Sequence, residues 1–223
     1  MCPRKPSIVL VACSDPTRYV FAGCDAYQCV TCGPKKTQGL SLAMAWRQTQ
    51  VDRTRLMTLT MAPTEWQARR QKMRHVTLWA RKQGYAWNTA WTTEMGSKTG
   101  MIHIHAIQWG DYIPRNVLQE RWGHIVDVRA IKKPGTKSSG YLTKESQKVA
   151  NYLTKEASEG YQSWLELNGG RPIHTTRGYF GGHSTREAVQ LARRHFSGTV
   201  GEEWRTASLA EAERAWEHHL STV

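Results

Sequence analysis

Three observations predict an α+β fold. β-rich, alternating segments recur at 55–61, 85–94, 101–109 and 124–131. Apolar residues at helical spacing fill 64–83 and 114–122, and Gly-containing turns separate the segments. The order over 55–131 is therefore β-α-β-β-α-β, a ferredoxin-like (RRM-like) arrangement. Four antiparallel strands should then carry helices on one face and leave the other face for a site. A Cys-rich unit (1–50), expected to bind zinc, should precede this core domain (51–182), and a helical extension (183–223) should follow it.

Each element has its local reason. Lys35 to Trp46 reads as a short helix after the turn-forming Gly33-Pro34. Arg55-Leu-Met-Thr-Leu-Thr-Met61 alternates and is β-rich, and Pro63 ends it. Thr64 is a fair N-cap for a helix with Trp66, Met73, Val76 and Ala80 on its apolar stripe, closed by Gly84. Tyr85 to Glu94 and Met101 to Trp109 flank the polar turn Gly96-Ser-Lys-Thr-Gly100, which predicts a hairpin. Pro114 opens a helix that Gly123 stops, and His124 to Ile131 returns as the fourth strand. A basic loop follows at 132–140, then a helix at 145–157. Residues 158–183 read as loop, 184–196 as helix, and 203–220 as a C-terminal helix.

Composition narrows the partners. The 223 residues carry 31 Lys+Arg against 18 Asp+Glu, a net charge of +13, which favours a polyanion, most commonly nucleic acid. From Arg129 to Lys155 there are seven Lys or Arg and one acid, Glu145, whereas Glu202 to Glu217 holds five acids and two arginines. No run of eighteen apolar residues occurs, so no membrane partner is expected. The N-terminal apolar run, Ile8 to Ala12, is too short for a signal peptide, which points to a cytoplasmic protein. All five cysteines fall within the first 32 residues, unlike a secreted disulfide framework.

Three constellations carry chemistry. In Ile102-His103-Ile104-His105, both imidazoles point to one face of a strand, and Glu94 ends the strand that the hairpin pairs with it. Two histidines and one carboxylate suit a divalent cation such as Mn or Mg. The plainer reading is two surface histidines and a solvated turn acid. Tyr152 and Lys155 share a helix face three residues apart, and a tyrosine hydroxyl can attack phosphorus once its charge is neutralised. Here the alternative is a core tyrosine beside a surface lysine, and Tyr141 with Lys144 repeats the spacing. Cys24-x4-Cys29-x2-Cys32, with Cys13 or Cys2 as fourth ligand, has the spacing of a structural zinc knuckle. Reduced buried thiols and a redox pair are the other options.

In order along the chain, these motifs resemble the HUH endonucleases that initiate rolling-circle replication in single-stranded DNA phages and plasmids. The resemblance covers roughly 13–182. It rests on the Cys24–Lys36 knuckle, Met57-Thr-Leu-Thr60, Glu94 ahead of His103-Ile-His105, Val126-Asp-Val128, Ala150-Asn-Tyr152-Leu-Thr-Lys155 and Gly170-Arg-Pro-Ile-His-Thr-Thr-Arg177. It implies a site-specific nuclease that nicks and rejoins single-stranded DNA at an origin. Tyr152 would be the nucleophile and Lys155 its helper, with His103, His105 and Glu94 as Mn or Mg ligands. Cys13, Cys24, Cys29 and Cys32 would hold structural zinc. Lys132, Lys133, Lys137 and Arg177 would contact DNA. No tyrosine lies at 153–159, which implies a one-tyrosine mechanism, and no Walker-type sequence occurs, which implies reliance on a host helicase and polymerase. A transposase or mobilisation relaxase would share the chemistry. A non-enzymatic zinc-containing nucleic-acid binder would instead stack bases on sheet aromatics, for which Trp109 is in register.

Overall fold

The computed structural model describes residues 9–15, 17–21, 26–29, 32–96, 100–131, 165–166, 168–171, 173–197 and 204–221. Its central sheet contains β3 (Thr54–Met61), β4 (Trp87–Met95), β5 (Ile102–Gly110), β6 (Val126–Ile131) and β7 (His174–Thr175), with spatial order β6-β3-β5-β4-β7. All these pairings are antiparallel. The first four strands have the ferredoxin-like connectivity expected from the sequence, and β5, carrying the histidines, lies in the middle of the sheet.

Helix α2 (Arg69–Lys82) and helix α3 (Arg115–Trp122) pack on one face. Their core is made by Met57, Leu59 and Met61 of β3, Ile102, Ile104 and Ala106 of β5, and Met73, Val76, Leu118 and Trp122 of the helices. Burial of large apolar side chains at about 25 cal/mol per Å2 is the main force holding this layer. The buried Trp122 indole N–H also donates to the Thr60 carbonyl at 2.7 Å, fixing α3 to β3. Gly123 ends α3 with φ of 85°, a left-handed conformation that costs glycine little.

The helix expected over 64–83 divides in two. Pro63–Ala68 is a 3-10 turn, and α2 begins at Arg69. Arg69 turns back to donate to the Trp66 carbonyl at 2.8 Å and lies over the Trp66 ring, which accommodates the tighter opening.

The opposite face is not left bare. Helix α1 (Cys32–Thr49) is longer than the sequence indicates and packs with α4 (Thr185–Ser197) over one half of it. Leu40, Met44 and Trp46 of α1 meet Ala90, Ile107, Ile173, Tyr179, Phe180, Ala188 and Ala192 in a second core. Residues from all three sequence regions therefore contribute to one packed layer. α1 and α4 approach closely at Gly39, where a Cβ would stand 3.3 Å from Val189 Cγ1. Trp109 belongs to this core: its indole N–H donates to the Tyr179 carbonyl at 3.0 Å and the Arg47 guanidinium covers its ring at 4.4 Å. These neighbours weigh against the alternative in which Trp109 stacks a base.

A second, three-stranded sheet has no counterpart in the sequence pattern. It has the order β2-β1-β8, with β1 at Val9–Ala12, β2 at Tyr19–Phe21 and β8 at Trp204–Thr206. The expected helix over 203–220 is consequently shorter: α5 spans Leu209–Ser221. Ser208 sets its start through a capping box with Glu211, as Ser184 does with Glu187 for α4.

Candidate active site on the central sheet

Side-chain alternation and register assemble the site. Within β5, Ile102, Ile104 and Ala106 are fully buried on the α2 face, so His103 and His105 point to the other face. The β4–β5 pairing places Glu94 opposite His103 and Thr92 opposite His105. On the other side, β3 places Thr60 opposite His103 and Thr58 opposite His105. The hairpin and the central position of β5 thus bring His103, His105 and Glu94 together from positions the sequence separates.

His105 is the most firmly held member by its contacts. It is 7 % exposed, its Nε2 lies 2.8 Å from Glu94 Oε2, and its Nδ1 lies 3.2 Å from Thr58 Oγ1. The His103 ring stands beside it, with centroids 6.2 Å apart and planes at 21°. Burial pushes the His105 imidazole below its usual pKa, against the opposing pull of Glu94, and the neighbouring His103 adds to the lowering. A neutral ring next to a carboxylate must carry its proton on Nε2, because the carboxylate only accepts. Thr58 then donates to Nδ1. A hydroxyl can also accept, so Thr58 suits either tautomer of His105.

The donor set fits a hard or borderline divalent cation in kind: two imidazoles and a carboxylate. The 2.8 Å between Nε2 and Oε2 is near the spacing of adjacent ligands on an octahedral ion, about 3 Å for metal–ligand bonds of about 2.1 Å. Among the described residues, no three His, Cys, Asp or Glu side chains converge as they stand into a metal-holding group.

Asn168 is a site-supporting residue that the sequence does not reveal. It is wholly buried and its side-chain amide imitates a strand at the edge of β4: Oδ1 accepts from Thr93 N–H at 2.8 Å and Nδ2 donates to the Thr93 carbonyl at 3.0 Å. Thr92 Oγ1 adds a longer contact of 3.4 Å to Oδ1. These bonds hold β4 directly beside Glu94. Nearby, His174 stacks on Trp91 at 4.3 Å and donates from Nε2 to the Asn168 carbonyl at 3.0 Å. Burial, reinforced by Arg70, pushes the His174 pKa down to about 4.

The remaining expected residues divide by location. Tyr152, Lys155, Tyr141, Lys132, Lys133, Lys137, Cys2 and Cys24 lie outside the described residues. Arg177 is exposed, just past β7, on the opposite side of the sheet edge from His105. Cys13 is exposed and Cys29 buried. The Cys29 Sγ accepts the Cys32 N–H at 3.4 Å, and its carbonyl accepts the Gly33 N–H at 2.8 Å, so Cys29 is joined directly to the first turn of α1.

This arrangement defines an α+β protein with a polar, histidine-bearing patch on the face of an antiparallel sheet opposite α2 and α3. Residues 54–158 match the family model described as Replication-associated protein ORF2. The matched segment begins with the first residue of β3 and includes every sheet residue of the patch, and it is consistent with a part in DNA replication. Neither curated proteins nor solved structures gave a match. Among the described residues, no helix is long and apolar enough to cross a membrane.

Proposed function

We propose that the protein initiates replication by nicking and rejoining single-stranded DNA at an origin, with Tyr152 as nucleophile and His103, His105 and Glu94 as ligands of Mn or Mg. The observation that carries this reading is the in-register meeting of Glu94 with the two histidines on the central strand, within the segment that matches a replication-associated family. A divalent ion held there supplies Lewis-acid polarisation of the scissile phosphate. The chain's own groups do the rest. Thr58 orients His105, and burial keeps its imidazole neutral, the form in which a nitrogen lone pair is available. Tyr152 attacks phosphorus as its phenolic proton passes to solvent, and the leaving 3′ oxygen takes up a proton from solvent in turn. The bond to the 3′ oxygen breaks, leaving a 5′-phosphotyrosine and a free 3′-OH. Lys155 offsets the charge developing on the reacting oxygens, and rejoining runs the same steps in reverse.

The same proposal assigns structural zinc to Cys24, Cys29 and Cys32, with Cys13 or Cys2 as the fourth thiolate. The N–H···S bond from Cys32 to Cys29 supports it. Elemental analysis of reduced protein should give one zinc per chain, and a zinc-free folded protein would exclude the assignment.

The decisive assay incubates purified protein with Mn or Mg and a labelled origin oligonucleotide, then looks for a denaturation-resistant protein–DNA adduct. Tyr152→Phe should abolish the adduct. An adduct that persists in Tyr152→Phe refutes that nucleophile, and one that persists when Tyr141→Phe is added refutes tyrosine chemistry. His103→Ala should lose metal-dependent cleavage but keep salt-sensitive binding.

A further inference from the structure

A groove of about 550 Å3 runs between the outer side of α2 and the segment 169–177 that forms β7. Arg70, Arg74 and Arg81 line one wall and Arg171 and Arg177 the other, and the described lining residues include no Asp or Glu. The three α2 arginines are strung along about 16 Å of helix, at about 1.5 Å per residue. All five are exposed. Arg70 is anchored by the carbonyls of Asn168 and Gly169 at 3.1 and 3.2 Å, and Arg81 by the carbonyl of Arg177 at 3.2 Å. These acceptors are neutral, so the positive charges are not offset. Leu78, 51 % exposed, gives the groove one apolar spot.

Resting on the nuclease reading, we infer that this groove grips the phosphodiester backbone of single-stranded DNA, as a contact face separate from the histidine patch. Cations on both walls of the groove can follow one backbone from two sides. The aromatic ring in the lining, Trp91, is 6 % exposed and covered by His174, so recognition falls on phosphates and carries no base preference. Burial is the main cause of the lowered His174 pKa, and Arg70 and, to a smaller extent, Arg171 add to it by disfavouring a further positive charge there. The groove and the histidines lie on opposite faces of β4, and β7 pairs with only Ala90 and Trp91.

The test uses Arg74 and Arg171, for which no hydrogen bond or ion pair occurs among the described residues. Binding of a fluorescein-labelled single-stranded oligonucleotide to full-length R74Q/R171Q is measured across a salt series, with a thermal melt to check folding. Removing two phosphate contacts should lower the log–log salt slope by about 1.4 and weaken binding roughly tenfold at about 0.1 M salt. R74K/R171K should restore most of the slope. An unchanged slope and affinity in the folded Gln variant would overturn the inference, as would loss that Lys does not rescue. Equal competition by duplex and single strand would overturn the single-strand assignment. Adduct formation by the wild-type preparation separates the two readings. Adduct with an unchanged slope in R74Q/R171Q sinks the groove alone, and a reduced slope with no wild-type adduct sinks the nuclease reading alone.

Discussion

Replacing Asn168 with Asp should destabilise the protein out of proportion to the change of one amide for one carboxyl. The Asn168 side chain satisfies both the N–H and the carbonyl of Thr93 in a fully buried position. A carboxylate can still accept from the N–H. It cannot donate to the carbonyl, which then faces a negative oxygen in place of an N–H at 3.0 Å. One lost hydrogen bond, one orphaned buried carbonyl and the burial of a charge together cost about 3 kcal/mol or more at neutral pH. For a chain of this size, about 3 kcal/mol lowers Tm by roughly 6–12 °C. Asn168→Ala, which orphans both Thr93 groups without adding charge, should fall in the same range. The two variants separate on acidification: a protonated Asp can donate again, so N168D should recover relative to N168A as pH falls. Calorimetric or circular-dichroism melts at several pH values provide the assay. A Tm loss under about 2 °C for both variants, or no difference between their pH responses, would refute the idea that this side chain acts as a surrogate strand.

The other predictions concern neighbouring features. Gly110→Ala should lose about 3 kcal/mol or more, because φ is 108° and a Cβ would fall 1.8 Å from the Ala86 carbonyl oxygen; a wild-type urea midpoint would contradict this. His174 has a folded pKa of about 4 against about 6.5 unfolded, so its stabilisation is complete above pH 6.5 and is lost as pH falls towards 4. The loss amounts to about 3 kcal/mol by that shift, and His174→Gln should flatten the stability profile over this window; an unchanged slope would discount His174. Thr58→Val should weaken Mn binding about tenfold by removing the partner of His105 Nδ1, measured by calorimetric titration; an unchanged Kd would show that Thr58 does not orient the ring.

The core strands are legible because period-two patterning encodes them locally. Leu59, Ile104 and Val128 alternate with polar neighbours, and each boundary lies close to the expected one. Gly123 and Gly84 stop their helices because only a local backbone requirement is involved. The meeting of Glu94 with the histidines is also legible, since a short hairpin fixes register across its turn. What escapes is non-local. Nothing in Val9–Ala12 identifies Trp204–Thr206 as a partner almost two hundred residues away. Likewise the strand-like role of Asn168 depends on where Thr93 lies in space, not on its sequence neighbours. Trp109 alternates in phase with His105, yet Trp109 packs into the second core while His105 is held by Glu94 and Thr58; periodicity assigns a face but not which neighbours a residue meets on it. The capping boxes at Ser184 and Ser208 are readable Ser-x-x-Glu signals, and the second releases 204–206 to be a strand.

Helix α1 starts at the last cysteine, spans the second core, and leads within a few residues into the strand bearing Thr58. The cysteine-rich start is therefore not a detachable module. Cutting the chain near residue 50 would strip the cover from Ile107, Trp109 and Tyr179 and leave an adhesive apolar surface on the sheet. Chimeras that exchange this N-terminal segment should succeed only when α4 is exchanged with it, because the two helices have been fitted to each other at Gly39 and Val189. For the same reason, any event at Cys29 or Cys32 that shifts the first turn of α1 has a rigid lever of 18 residues through which to reach the sheet.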